Sequence, residues 1–399
     1  MARFLFCSLA SPGFLLPAIG IAERLRQVGH EVAFVTDVSC SETLKRRRLV
    51  RYSRGRQDGP SFQVELWGQL LAIAIQVKHV EYAIAGFKPD VLVGQQLTLG
   101  PLIAGERHGI PVALIGLATY IWPSKNRPMP ADPAMEHFRT KQFNEMLKLY
   151  NEVRVGFGLS PCPYQRAEQR LAGDLFLLRT VPELEGSTKH LPQQVHCIGD
   201  CLWNEGDADE ELNAWLDESV RTNKTIFYAQ HGRFFNSPHF WPKIIQMALE
   251  HKISIAAATG RMDALAGDTP SNIFVRRDLN QGIVLARAHA MISSANTTSV
   301  LGSVTAGIPS VLIPSGGEQP WLAQRCHEAG IAKVLSPEEA SAERIWEALT
   351  SSLQDPLMLS AAKRLAQSFA RINSMELAAD LLSRLAISQT AVFRLSTAS

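Results

Sequence analysis

The sequence predicts an α/β protein built as two parallel-sheet domains of similar size, and three observations carry this. Its 399 residues, 46 % hydrophobic and 20 % charged, exceed one typical core and suffice for two. Short apolar runs alternate with stretches of helical periodicity in both halves. Between the halves the composition turns acidic and polar, Asn204-Glu-Gly-Asp-Ala-Asp-Glu-Glu211, as in an exposed linker. The boundary is therefore expected near residue 205, giving domains 1–205 and 206–388.

The first strand is the apolar run from Arg3 to Leu9, followed by a turn at Ser11-Pro12-Gly13. No cleavage-site pattern follows, so the run reads as structure and not as a secretion signal. Leu16, Ile19, Ala22, Leu25 and Val28 recur at helical spacing, and Gly29 stands where a left-handed cap is least costly. A strand at 31–36 completes a β-α-β unit, whose crossover is expected to be right-handed. The rhythm continues with a strand at 90–93, a helix at 101–108 and a strand at 111–115. Residues 129–170 are mostly helical in pattern, interrupted by Pro161 and Pro163, and are expected to cap one side of a cleft. Beyond the linker, strands are expected at 225–229, 253–257, 273–275, 290–292 and 310–313, with helices at 238–251 and up to 306. Residues 356–387 form a last helical stretch, long enough to return to the first domain, and the tail after Gln389 is expected to fray.

Forty basic against thirty-eight acidic residues leave a formal charge of +2, which argues against a nucleic-acid binder. The six cysteines are scattered and read as buried thiols, since Cys197 and Cys201 lack a second pair to complete a zinc cage. No apolar run reaches the roughly 18 residues of a membrane span, and a cytoplasmic protein is expected.

Ligands of doubly wound sheets bind beyond the carboxyl ends of the strands, so the informative loops are 10–17, 37–42, 95–100 and 116–122. The richest segment runs from Ser293 to Gln319. Ser294, Ala295, Asn296, Thr297, Thr298 and Ser299 place small, hydroxyl-bearing residues between a strand and a helix, where free backbone N–H groups favour phosphate. Glu318 and Gln319 then offer a carboxylate and an amide to adjacent sugar hydroxyls.

These segments resemble the inverting GT-B glycosyltransferases that include UDP-glucuronosyl- and UDP-glucosyltransferases and antibiotic-tailoring enzymes. The resemblance spans nearly the whole chain. It is carried by Ser11-Pro-Gly-Phe-Leu-Leu-Pro17, Gly29-His-Glu-Val, Lys88-Pro-Asp-Val-Leu-Val93 and Gly109-Ile-Pro-Val112 in the first half. Gln281-Gly-Ile-Val-Leu285, Thr297 to Ser299, Ala306-Gly-Ile-Pro309, Pro314, Glu318-Gln319 and Ala329-Gly330 follow the donor-binding signature in the second. It implies two Rossmann-like domains facing a central cleft, a UDP- or dTDP-sugar as co-substrate, no cofactor or metal, and a small hydrophobic natural product or lipid as acceptor. Donor-side residues are then His231, Gly232, Arg233, Gln281, Ser294 to Ser299, Glu318 and Gln319; Gly13, Phe14, Gln95, Gln96 and Trp122 fall in the acceptor region.

Departures from the pattern matter as much. The family's general-base histidine follows the first-loop glycine, where this chain has Phe14, and the aspartate that orients it falls at Gln95-Gln96. The family's His-Gly-Gly aligns with Ser294-Ala295-Asn296, and its helix glutamate with Gly302. Asp37 and His137 are candidate substitute bases; an acidic acceptor would need none. His231 and Arg233 either touch phosphate or lie at the surface. The cationic run from Lys45 to Arg56 is either a solvated, mobile loop or a contact for an anionic acceptor or membrane. Trp67, Tyr120, Trp122 and Phe157 either line an acceptor pocket or belong to the core. The leading reading is thus a glycosyltransferase, monomeric or homodimeric. The alternatives are a catalytically silent relative that binds a partner, and a nucleotide-sugar epimerase or hydrolase of the same fold.

Overall fold

The computed structural model describes residues 1–124, 133–203, 209–231, 239–260 and 269–394, and the chain divides into two compact units. One comprises Met1–Arg179, Ser187–Trp203 and Ile372–Ser399; the other comprises Thr180–Gly186 and Asn204–Arg371.

The chain opens with β1 (Arg3–Cys7), α1 (Pro12–Gln27), β2 (Glu31–Val35), α2 (Ser41–Arg46), β3 (Val50–Arg51), α3 (Leu70–Phe87) and β4 (Val91–Gln95). It continues through α4 (Leu99–His108), β5 (Val112–Ile115), α5 (Pro133–Gly156), α6 (Tyr164–Leu171) and β6 (Leu175–Leu178). A short α7 (Pro182–Glu185), counted with the second unit, precedes β7 (Val195–Cys197). The second unit proper holds α8 (Glu210–Arg221), β8 (Ile226–Gln230), α9 (Phe240–His251), β9 (Ser254–Ala258), β10 (Ile273–Arg276), α10 (Gln281–Leu285) and β11 (Ala290–Ser293). Then come α11 (Thr297–Ala306), β12 (Ser310–Leu312), α12 (Gln319–Glu328), β13 (Ala332–Val334), α13 (Ala342–Gln354) and α14 (Pro356–Ala370). The last helix, α15 (Ser374–Ser388), lies in the first unit.

Each unit has one parallel sheet, ordered β3-β2-β1-β4-β5-β6-β7 in the first and β10-β9-β8-β11-β12-β13 in the second. Both begin at the middle and wind outward twice, so the order reverses between β1 and β4 and again between β8 and β11. Such a switch point opens a crevice at the carboxyl ends of the two central strands. Burial follows from the sequence: Phe4 to Cys7 and Phe227 to Ala229 are almost entirely enclosed, as strands covered on both faces require.

Several expectations change. The Ser11-Pro12-Gly13 turn is the cap and first turn of α1, with Pro12 at the helix start where its missing N–H costs nothing. The stretch 356–387 is two helices, not one. Asn373 breaks it by accepting from the N–H of Glu376, and only α15 packs on the first unit. There Gly20 of α1 passes under Met375 and Trp203, and Arg24 pairs with Glu376.

Helix α3 has 18 residues and a mean hydropathy of 1.3, so an apolar stretch of membrane-spanning length exists where none was expected. It is built into the unit, because its buried Gln76 donates to Ser61 O at 2.7 Å and accepts from Gly100 N at 3.2 Å. The cationic run is ordered structure and not a mobile loop. It contributes α2 and β3, and Arg51 and Arg54 converge on buried Asp58, which also meets His79 at 3.2 Å. Arg47 lies over the Trp203 ring at 4.4 Å.

Candidate functional site

In the second unit, β11 ends at Ser293 and the chain turns through Ser294 and Ala295 into α11. Ala295 adopts φ +62°, a left-handed conformation unusual for a residue with a Cβ. Its N–H donates to Ser293 Oγ at 3.2 Å, and that hydroxyl meets Ser299 Oγ at 2.6 Å. Asn296 caps α11 by accepting from Ser299 N at 3.1 Å, and its Nδ2 is left buried without a partner. At the neighbouring strand end Gln230, register partner of Ser293, keeps its Oε1 buried and unpartnered. An unpaired donor and an unpaired acceptor thus stand at the β8/β11 switch point, beside a helix start whose dipole favours an anion.

The other residues expected on the donor side have the following partners. Glu318 Oε1 accepts from Thr297 N at 3.4 Å, and burial pushes the Glu318 carboxyl above the usual carboxylate range. Gln319 accepts from Ser315 N at 2.8 Å and Gly316 N at 3.3 Å, which fixes its loop and turns its amide nitrogen to donate. Gln281 donates to Thr298 O at 3.2 Å across Gly302, where a Cβ would lie 2.9 Å from its Nε2. The glycine at the family's glutamate position is therefore the space this glutamine fills. His231 follows β8 and is buried edge-on to Phe240, ring centres 4.5 Å apart. Gly232 and Arg233 lie outside the described residues.

In the first unit the switch point gathers Gly13, Phe14, Gln95 and Gln96. Gln95 is buried and fully used: Oε1 accepts from Leu9 N at 2.8 Å, while Nε2 donates to Ser8 Oγ at 2.9 Å and Phe14 O at 2.8 Å. It ties the end of β1 to the first turn of α1. Gln96 accepts from Leu117 N at 3.3 Å and keeps Nε2 buried without a partner. Arg179, just past β6, was not foreseen from the sequence. It is 2 % exposed, donates from Nε to Asp200 O at 3.0 Å and from Nη1 to Gly13 O at 3.1 Å, and leaves Nη2 unpartnered. Burial without a paired carboxylate pushes its pKa down.

The remaining candidates separate. Asp37 lies buried two residues past β2, with its carboxylate accepting from Ser39 N at 2.9 Å. His137 is exposed on the second turn of α5. Tyr120 and Trp122 are buried, and Trp122 packs edge-on against Phe143 at 5.8 Å with its indole N–H unpartnered. Trp67 is half-buried. Phe157 lies under Arg107 near the C-terminal end of α4, at the far side of the sheet from Gln95, so it cannot join a pocket at the switch point. No disulfide joins the described cysteines, and Cys197 alone is partly exposed.

Comparison with known proteins agrees with this geometry. Residues 245–383 match the family described as erythromycin biosynthesis protein CIII-like, C-terminal domain. The chain is 24 % identical to 4'-demethylrebeccamycin synthase of Lentzea aerocolonigenes, over 96 % of this chain and 99 % of that one. It is 26 % identical to the NDP-glycosyltransferase YjiC of Bacillus subtilis (strain 168), over 92 % and 93 %. Among solved structures, the glycotransferase of kitacinnamycin superposes with a TM-score of 0.74 at 18 % identity, covering 96 % of this chain and 98 % of that one. The spinosyn rhamnosyltransferase SpnG complexed with thymidine diphosphate gives 0.70 at 19 %, covering 96 % and 100 %. Two parallel sheets with matching strand orders and relatives of this kind along nearly the full length agree with one another: the chain has the GT-B fold and is similar to glycosyltransferases, those of antibiotic tailoring among them.

Proposed function

We propose that the protein transfers a sugar from a UDP- or dTDP-linked donor to a small hydrophobic natural product or lipid, with inversion at the anomeric carbon. The observation that carries the reading is the β8/β11 switch point, where Asn296 Nδ2 and Gln230 Oε1 stand buried and unpaired beside the start of α11. The diphosphate is assigned to the N–H groups of that helix start, with Ser294 and Thr298 beside it. Glu318 and the amide of Gln319 are assigned to sugar hydroxyls, and Gln281 to holding the loop. Charge on the leaving diphosphate is thereby met by helix dipole and amide donors, so the proposal includes no metal and no cofactor. The acceptor is assigned to the first unit around Gly13, Phe14, Gln96 and Trp122. That the relatives include an NDP-glycosyltransferase and a structure holding thymidine diphosphate supports the choice of donor.

No histidine serves as base at position 14, so the acceptor oxygen must arrive already acidic or be served by another group. A silent binding protein is the competing reading, and Phe14 is the residue that favours it. Calorimetric titration with UDP, dTDP and GDP and their glucose conjugates, without and with magnesium, tests the donor assignment. Saturable binding of one nucleotide and its sugar, unchanged by magnesium, is expected. Binding of none would refute the proposal.

A further inference from the structure

Arg179 has no place in the donor chemistry and is an expensive residue to keep. Its guanidinium is buried, its two bonds go to neutral carbonyl oxygens, and no carboxylate among the described residues lies within ion-pair distance. The neighbouring Asp200 accepts at Oδ1 from Ser374 Oγ at 2.9 Å, and its charge offsets the burial of Arg179 only in part. A buried cation without a counter-charge in ion-pair contact disfavours folding, so a missing anion is the physical expectation. Gln96 repeats the pattern with a buried, unpartnered Nε2.

The two lie on one patch. Gln96 Oε1 accepts from Leu117 N, and Leu117 O accepts from Arg179 N at 3.0 Å, so they sit at the carboxyl ends of β4 and β6 with the end of β5 between them. To reach Gly13 O the Arg179 side chain runs from β6 toward the start of α1, whose Phe14 is bonded to Gln95 of β4. Two unpaired donors therefore stand at neighbouring strand ends, on the side of the sheet where the base is missing.

We propose that Arg179 and Gln96 hold an ionised oxygen of the acceptor, a carboxylate or an acidic phenolate, and that this oxygen takes the sugar. The inference rests on the glycosyltransferase reading. In the step, a lone pair of the oxyanion forms the bond to the anomeric carbon as the bond from that carbon to the diphosphate oxygen breaks, and its electron pair leaves with the nucleoside diphosphate. No proton has to be removed, so Phe14 at the base position is no defect.

The test is calorimetric titration of the nucleotide-free protein with benzoate, methyl benzoate, and 4-nitrophenol below and above its ionisation. Benzoate or 4-nitrophenolate, or both, is expected to bind at least about tenfold more tightly than its neutral counterpart, the worth of one charge-assisted hydrogen bond. In Arg179→Met that preference is expected to fall to within about twofold while the melting temperature holds or rises, because an uncompensated buried charge is gone. Gln96→Glu keeps an acceptor for Leu117 N but adds a negative charge, and is expected to abolish anion binding even where Arg179→Met fails to fold. A wild type indifferent to charge, or a preference unaltered in either variant, would overturn the inference. A lower melting point in Arg179→Met with anion preference intact would make Arg179 a structural cap. UDP and dTDP titrated in parallel separate the two readings: nucleotide binding without anion preference removes only this inference, and anion preference without nucleotide binding leaves the anion site but removes the transfer step.

Discussion

Replacing Gln95 with leucine should cost the protein about 4 kcal/mol, the sum over its three side-chain bonds. Leu9 N is the exposed point of the argument: it is buried, Gln95 Oε1 at 2.8 Å serves it, and nothing in a leucine replaces that oxygen. A stranded buried N–H costs roughly 1–3 kcal/mol. Phe14 O lies in the first turn of α1, where a helical N–H four residues on also serves it, and Ser8 Oγ keeps the bond it already donates to Leu9 O at 3.2 Å. Each of those losses is therefore nearer the ordinary 0.5–1.5 kcal/mol of a net hydrogen bond. The total is a large part of a typical folding free energy of about 5–15 kcal/mol. Urea unfolding followed by tryptophan fluorescence and circular dichroism measures it. A loss below about 1 kcal/mol would show that β1 and α1 hold their places without this residue, and that Gln95 is not the tie described here.

Other outcomes are equally definite. Burial holds the Glu318 carboxyl protonated over a range where the unfolded chain has lost its proton, so stability falls as pH rises through that range. Glu318→Gln should raise the melting temperature near neutral pH, lose that advantage below about pH 4, and weaken sugar-nucleotide binding relative to bare nucleotide; pH-dependent melts and calorimetry read all three. Burial alone would raise the pKa of Asp58, but Ser53, the N–H of Arg54, His79 and Arg51 together hold it low. Asp58→Ala should cost about 3–5 kcal/mol in urea, since it strands two nearly buried arginines. In the wild type that contribution should disappear as acid protonates Asp58, at a pH below its ordinary value. A Cβ at Gly100 would lie 2.4 Å from Gln76 Cβ and 3.0 Å from Val77 N, so Gly100→Ala should lose roughly 1–3 kcal/mol by prying α3 from α4. Native-state alkylation followed by mass spectrometry should label Cys197 first, because the other five thiols are buried.

Much of the fold was legible because buried parallel strands are short apolar runs and the helices between them repeat every three to four residues. The strands at 3–7, 31–35, 91–95 and 226–230 could be read this way. β3 and β13 are too short to show a period, and β6 passed unread between helices. α3 hid behind apolar residues on most of its surface. The break between α14 and α15 was written in the sequence as Asn373 followed by Glu376, a helix-start pattern, but the longer helical rhythm masked it.

The donor-side residues were legible for a different reason. Ser294 to Ser299 and Glu318-Gln319 are local segments whose chemistry follows from their place after a strand. Gln95 was not, because its three partners lie more than eighty residues away in sequence and only folding reveals that it is tied up. Arg179 and Gln230 were missed because what marks them is the absence of a partner in a buried place, which no linear pattern displays. The run of cations from Lys45 to Arg56 did not show that Arg51 and Arg54 are paired, because their counter-charge, Asp58, stands just outside it.

The central claim is that this chain transfers sugar without the family's usual base. Purified protein incubated with UDP-glucose or dTDP-glucose and a panel of phenols, carboxylic acids and alcohols, with products followed by mass spectrometry and nuclear magnetic resonance, tests it most directly. A β-glucoside or glucosyl ester of an acidic acceptor, formed one for one with nucleoside diphosphate and not seen with neutral alcohols, is the result the account predicts. Bound sugar nucleotide that stays intact with every acceptor, or is only hydrolysed, would contradict it.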